Sequence, residues 1–207
     1  MKKLNVLVCG LLLGGLVFAG CSDDDEKKIE GEATVMADEY DEWTYFNFVT
    51  GDTAVLTIQK KAVGDSYTYE VDAEAEKALS WDIAVHKYNI RTNGGLVKEL
   101  NTENFDAVTL ADVLADEEEM VADTEGSVMA DMSNMMSGFV GYQYVKLNKE
   151  LGHWVIATPT GTMPPYTYEL NKNVFVVKVN GKTWKMKFTA YTYGGKTAAR
   201  FVYGKLK

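Results

Sequence analysis

The sequence predicts an all-β fold, mainly antiparallel, with a short helix or loop segment in its middle. Three observations predict it. Short runs of alternating apolar and polar residues recur between Gly, Asn and Asp turn signals. An Asn-Gly pair at 180–181 separates two strongly alternating runs, "NVFVVKV" and "KTWKMKFTAY", a strong short-range signal for a hairpin. One stretch alone, 104–123, is instead rich in Ala, Leu and Glu.

The N-terminus is read first as an address. "MKK" is a basic start, "LNVLVCGLLLGGLVF" is an apolar run too short for a stable membrane anchor, and "AG" supplies small residues before Cys21. "FAGC" is close to the bacterial lipobox, in which the cysteine becomes the lipid-bearing first residue. Residues 1–20 are therefore expected to be a lipoprotein signal peptide and Cys21 the lipidation site; an ordinary cleaved signal with an incidental cysteine is the plainer alternative. Cys9 leaves with the signal, so the folded part is expected to hold neither a disulfide nor a thiolate metal site. Acyl chains on Cys21 would hold the protein to a membrane, each buried methylene contributing about 0.8 kcal/mol. Residues 21–32, which include "SDDDEKKIEGE", read as an acidic tether. An acidic run directly after a lipidated cysteine is similar to the surface-export signal of Bacteroidetes lipoproteins, which implies an outer-membrane, cell-surface address.

From Ala33 to Lys207 about 175 residues remain, enough for one domain with a real core. The net charge is −9 for the whole chain and −11 without the signal, whose only charges are Lys2 and Lys3. A nucleic-acid partner is not expected on that balance, because no basic stripe survives it. A hydrophobic content of 46% with 12 tyrosines argues for a folded, aromatic-rich domain rather than disorder.

In chain order, "WTYFNFVT" (43–50) alternates as a half-buried strand does, and "TAVLTI" (53–58) follows a "GD" turn and can pair with it. "SYTYEV" (66–71) alternates again. "WDIAVHKYNIRT" (81–92) predicts one longer strand that "NGG" ends. "NFDAVTLADVLADEEEMVAD" (104–123) predicts a short helix or an acidic loop. The hairpin at 173–191 follows, and "ARFVYGKL" (199–206) adds a last strand beside it. There are no repeats and no internal linker.

Catalytic arrangements are missing. Nothing resembles a nucleophile elbow, a phosphate loop or a metalloprotease helix, so an enzyme is not expected. The two histidines, His86 and His153, stand 67 positions apart with no cysteine nearby, a poor start for zinc. Strict alternation puts His86 on one face with Ala84, Tyr88 and Ile90, where packing is the expected role.

The methionines stand out. "GSVMADMSNMMSGF" (126–139) collects Met129, Met132, Met135 and Met136, and Met129, Met132 and Met136 fall on one face at helical spacing. Met is an adaptable gap-filler, so core packing is the ordinary reading. Against it, the segment is flanked by Gly126 and Gly138 and interrupted by Asp131, Ser133 and Asn134. Met163 stands in a second Pro/Gly-rich loop, "PTGTMPPYTYEL", and loops often carry function. Thioether sulfur suits haem iron or Cu(I) rather than zinc or calcium.

"EWTYFNFVTGD", "SWDIAVHKYNIRTNGG" and "YELNKNVFVVKVNGKTWKMKFTAY" together resemble, in order and spacing, the HmuY family of Bacteroidetes haem-binding lipoproteins, from about Trp43 to Tyr203. The resemblance implies an all-β fold gripping haem b (iron protoporphyrin IX) between two loops, its iron ligated from both sides. It also implies a haemophore that takes haem from host haemoproteins and passes it to a TonB-dependent outer-membrane receptor. The founding member ligates through two histidines, which neither corresponding loop contains here, whereas several members use a methionine pair. Carried across, Met163 is the ligand of the second loop and Met136 that of the first, with Met132 and Met129 as alternatives to Met136. His86 matches a family histidine that is not a ligand. Two other readings stay open: a surface module of this family without haem binding, acting in adhesion or interaction, and a copper-binding lipoprotein.

Overall fold

The computed structural model describes residues 30–114 and 117–207. Cys21, the expected signal peptide and most of the expected tether lie outside the described residues. The first strand, β1 (Glu30–Met36), already takes in Glu30–Glu32, the last residues of the stretch read as tether, because they pair with the C-terminal strand from Glu30↔Gly204 onward.

The strands that follow are short, as the turn signals require. β2 (Glu42–Phe46) and β3 (Thr53–Thr57) pair across the expected turn, where Asn47 Oδ1 accepts the N–H groups of Val49 and Thr50. β4 (Gln59–Val63) and β5 (Ser66–Glu70) form a second hairpin; β4 was not expected, since "QKKAV" is exposed throughout and has no apolar alternation. A single-turn-and-a-half helix, α1 (Ala73–Ala78), is capped by Asp72, which accepts from Glu74 and Ala75.

The expected long strand at 81–92 is instead two: β6 (Ile83–His86) and β7 (Asn89–Thr92), paired antiparallel with His86↔Asn89 at the turn. Lys87 takes φ 50° there. The turn resets the alternation: Ala84 and His86 face one core, whereas Ile83, Val85 and also Ile90 face the other. β8 (Leu96–Glu99) follows. The middle stretch holds α2 (Leu110–Leu114), a 3-10 turn at Glu117–Glu119 and β9 (Val121–Ala122).

Two further hairpins come next: β10 (Thr124–Asp131) with β11 (Gly141–Leu147), and β12 (Val155–Pro159) with β13 (Tyr166–Leu170). A short helix, α3 (Lys149–Gly152), lies between them. The C-terminal part forms as expected. β14 (Val174–Val179) turns through Asn180 and Gly181, both at positive φ, into β15 (Lys182–Tyr193), and β16 (Lys196–Lys205) pairs with β15.

The six-stranded sheet has the order β1-β16-β15-β14-β8-β9, and a four-stranded sheet has the order β3-β2-β6-β7. Between them lies the main core, built from Phe46, Phe48, Ile83, Val85, Phe175, Trp184, Phe188 and Phe201 among others. The four-stranded sheet is covered on its other face too. There Trp43, Tyr45 and Ala84 pack with Tyr69 of β5 and with Val128 and Ala130 of β10. A third cluster, Val174 and Val176 with Val108, Val113 and Met120, lets the middle stretch cover the outside of the large sheet.

The connector between the two late hairpins is pinned. Asn148 is buried; its side chain accepts from Leu151 N–H and donates to Val121 O and Asp123 Oδ1. Its backbone N–H donates to Ile90 O. Leu151 and Trp154 are fully buried, and Trp154 Nε1 donates to Tyr88 O at 2.9 Å. Asn148→Ala strands several buried partners at once, and is expected to cost about 2–4 kcal/mol. Urea unfolding of the variant beside the parent would show the shift in midpoint, and an unchanged midpoint would contradict this role.

Candidate functional site

The candidate site is built on the two hairpins that flank this connector. β11 runs from its tip toward the connector and β12 runs from the connector toward its own tip. Both tips, 132–140 and 160–165, therefore lie at ends remote from a common, buried base. This topology brings the two sequence-predicted loops into one architectural unit.

On the first hairpin, alternation decides which side chains face inward. Val128 and Ala130, with Val145 and Leu147, pack onto the Trp43 cluster, and Gln143 Oε1 accepts Trp43 Nε1–H at 2.7 Å. Met129 points the other way, opposite Tyr142, and is 38% exposed. Residues 124–131 are thus a strand, and the helical face expected for Met129, Met132 and Met136 does not form. The spacing fits a helix, but burial of every second residue against the four-stranded sheet imposes a period of two. Helical backbone is confined to a 3-10 turn, Met135–Ser137, closed by Gly138 at φ 79°.

One residue holds the entrance to this loop. Asp131 Oδ1 accepts from Ser133 N–H at 3.0 Å and Ser133 Oγ–H at 2.6 Å, while its Oδ2 meets Lys60 Nζ at 3.0 Å and Tyr69 O–H at 3.1 Å. The Ser133 hydrogen bonds first, and then Lys60, hold its carboxyl well below the usual range. Gly141 makes room for this arrangement, because a Cβ there would sit 2.3 Å from Tyr69 Cζ. Met132 lines a cleft of about 300 Å³ with Tyr40, Ile58, Lys60, Tyr69 and Asp131. Met135 is exposed, and Met136 is 95% exposed at the tip.

The second hairpin presents one largely apolar face through the pairs Val155↔Leu170, Ala157↔Tyr168 and Pro159↔Tyr166. Its middle is anchored by Tyr168, whose ring lies 4.6 Å from that of Tyr88, and by Tyr191 O–H donating to Tyr168 O. The tip is closed by Thr160 N–H donating to Pro165 O and by Thr160 Oγ1 at 2.5 Å from Pro164 O. Met163, at a cis bond to Pro164, is 87% exposed.

The β6–β7 turn lies between the loop end of the first hairpin and the second hairpin. Tyr88 packs on the second, whereas Lys87 Nζ lies 4.3 Å from the ring centroid of Tyr40, which lines the cleft beneath Met132. His86 just before it is 1% exposed. Its Nε2–H donates to Tyr40 O at 2.8 Å and its ring lies 5.2 Å from Trp43. Burial pushes its pKa down, so the ring is neutral at pH 7 and serves packing. His153 lies on the connector, at neither tip. Asp131, Lys60, Tyr40 and Tyr88 were missed by sequence reasoning. Only Asp131 carried a signal, the Asp-x-Ser spacing of a side-chain turn.

Two loops presented on strands by a pinned connector, over a core rich in aromatic side chains, define a binding scaffold. The HmuY protein family model matches residues 39–203, and the chain belongs to the HmuY family. No curated protein sequence matches it. Among solved structures, it is similar to the apo HmuY analogue TFO of Tannerella forsythia, with 29% identity, 89% of this chain and 100% of that one covered, and a TM-score of 0.72. Apo PinO from Porphyromonas gingivitis is 27% identical, with 86% and 97% covered and a TM-score of 0.70. An HmuY-like heme-binding protein from Bacteroides vulgatus is 28% identical, with 87% and 93% covered and a TM-score of 0.67. HmuY-family proteins are binding proteins rather than enzymes.

The Asp131 contacts make the first loop's order depend on pH in a defined direction. A carboxyl whose pKa is lower folded than unfolded adds stability that is complete above the unfolded value, about 3.9, and is lost as pH falls from there toward the folded value. The stability difference between the parent and Asp131→Asn should therefore be constant from pH 7 to 5 and shrink only below about pH 4. Denaturant unfolding across that range tests it; a difference that fades between pH 7 and 5 would assign the effect to another group.

Proposed function

We propose that the protein is a surface-anchored haem-binding lipoprotein, a haemophore that captures haem and delivers it to a TonB-dependent outer-membrane receptor. Host haemoproteins are its haem source, lipid on Cys21 is its anchor, and a pair of axial methionines holds the iron. One observation carries this reading: consecutive hairpins on one pinned connector each present a solvent-exposed methionine at the tip, Met136 at 95% and Met163 at 87% exposure. Family membership and the heme-binding protein of similar structure support it.

The side chains fit such a cargo. Leaving a methionine in water forgoes about 1.5–3 kcal/mol of burial, yet both tips are held by hydrogen bonds of their own. A flat apolar macrocycle between the tips would recover that burial, with Tyr166, Pro159 and Phe139 as nearby apolar surface. Thioether sulfur is soft and uncharged, which suits iron in a porphyrin. Met136 is the freest donor of the first loop. Met132, turned toward the cleft, and Met129, on the outer face of β10, are its alternatives.

A visible-spectrum haem titration, with and without dithionite, tests the reading on the parent and on Met163→Ala, Met136→Ala, Met132→Ala and Met129→Ala. Sharp low-spin bands are expected in the reduced parent. Met163→Ala and Met136→Ala should weaken binding by about tenfold or more, about 1.4 kcal/mol or more, whereas the other two should leave the spectrum unchanged. No spectral change on adding haem in either oxidation state would leave the interaction-module reading.

Two neutral soft ligands favour Fe(II) over Fe(III) relative to an imidazole pair. Haem affinity is accordingly expected to be higher under reducing conditions. Equal or tighter ferric binding would rule out bis-methionine ligation.

A further inference from the structure

A second cluster of donor groups lies away from both tips, on the connector itself. Glu150 and His153 are three residues apart on the turn of α3, which places them on one side, and Glu99 reaches them from β8. One ligand atom from each lies within 4.8 Å of the others. We propose that Glu99, Glu150 and His153 bind a divalent first-row transition metal of the zinc class.

Three features separate this group from an ordinary surface carboxylate pair. The carboxylate of Glu99 is aimed: Asn171 Nδ2 and Asn173 Nδ2 both donate to its Oε1 at 2.7 Å, leaving Oε2 directed at His153 Nδ1. Such outer hydrogen bonds are what orient metal-binding carboxylates. Glu150 is likewise fixed, with Oε2 accepting the backbone N–H of Glu99 at 3.2 Å, so its second oxygen remains for a ligand. Neither carboxylate forms an ion pair with a lysine or arginine among the described residues. A cation between them would relieve their mutual repulsion.

The spacing also fits. Glu99 Oε2 and His153 Nδ1 are 3.4 Å apart, long for a hydrogen bond. Metal–nitrogen and metal–oxygen bonds of about 2.0–2.2 Å at a tetrahedral angle put neighbouring donors about 3.4 Å apart. One imidazole with two carboxylates and no thiolate suits zinc and its neighbours; calcium wants six to eight oxygens. His153 is 62% exposed, so a metal can enter and a fourth position stays open to solvent. The sequence pointed away from zinc because it offered only two distant histidines. The fold supplies the carboxylate that completes the set, from a strand about fifty positions upstream.

The test uses the folded chain freed of any affinity tag, with Co²⁺ and Zn²⁺ as probes. Co²⁺ titration should saturate at one ion per chain with the intense visible bands of a tetrahedral site, and Zn²⁺ should displace it. His153→Ala and Glu150→Gln should each weaken binding by roughly tenfold or more, with circular dichroism unchanged. A Met136→Ala/Met163→Ala double variant should bind both metals as the parent does, which keeps this result independent of haem binding. Absence of saturable binding, or binding that survives both His153→Ala and Glu150→Gln, would overturn the proposal.

Discussion

The rest of the structure depends on a four-stranded sheet whose central strands, β2 and β6, are buried on both faces. Along β2 and β6 every second residue serves a different core: Trp43, Tyr45, Ala84 and His86 on one side, Phe46, Ile83 and Val85 on the other. The centre of this sheet has no solvent face on which polar atoms can find water, so most of them pair with protein groups, His86 Nδ1 and Arg91 Nε being exceptions. Its polar atoms thereby become attachment points. Trp43 Nε1 engages Gln143 of β11, which seats the first hairpin. Asp82 accepts from Phe48 N–H and from Asn180 Nδ2, which ties the four-stranded sheet to the β14–β15 turn of the large one. His86 engages Tyr40 O, which fixes the wall of the cleft under Met132. Hydrophobic burial brings the layers together, and these few bonds fix how they sit.

Parts of this design were legible from residues alone, for identifiable reasons. The β14–β15 hairpin carries its own turn chemistry in Asn180 and Gly181, so local sequence sufficed. The break between β6 and β7 was not legible: His-Lys-Tyr-Asn contains no glycine or proline, and the turn is imposed by pairing β6 with both β2 and β7. β10 was misread because Met129, Met132 and Met136 satisfy helical spacing, while the period-two burial of Val128 and Ala130 exists only once the Trp43 cluster is in place. The same holds for the candidate site. Its methionines announced themselves by composition, whereas Lys60, Tyr69 and Asp131 come together across more than sixty positions.

The two histidines show how fully the fold commits its scarce groups. His86 is consumed by packing and His153 by the Glu99–Glu150 corner, so the tips are left with thioethers. On the proposed reading this has a chemical advantage for a protein exposed to changing surroundings. A protonated imidazole must lose a proton before it can ligate, whereas a thioether has none to lose.

The shared connector also sets how cargo would leave. A ligand held by one residue from each tip is held as a chelate. Once the first sulfur engages, the second acts at an effective concentration fixed by the rigid base rather than by diffusion. The same arithmetic runs in reverse. A receptor that displaces one tip removes that advantage in a single step and leaves the cargo on one weak donor. A two-armed grip on a stiff handle is thus tight against dilution and yet open to transfer by a competitor that lifts one arm first.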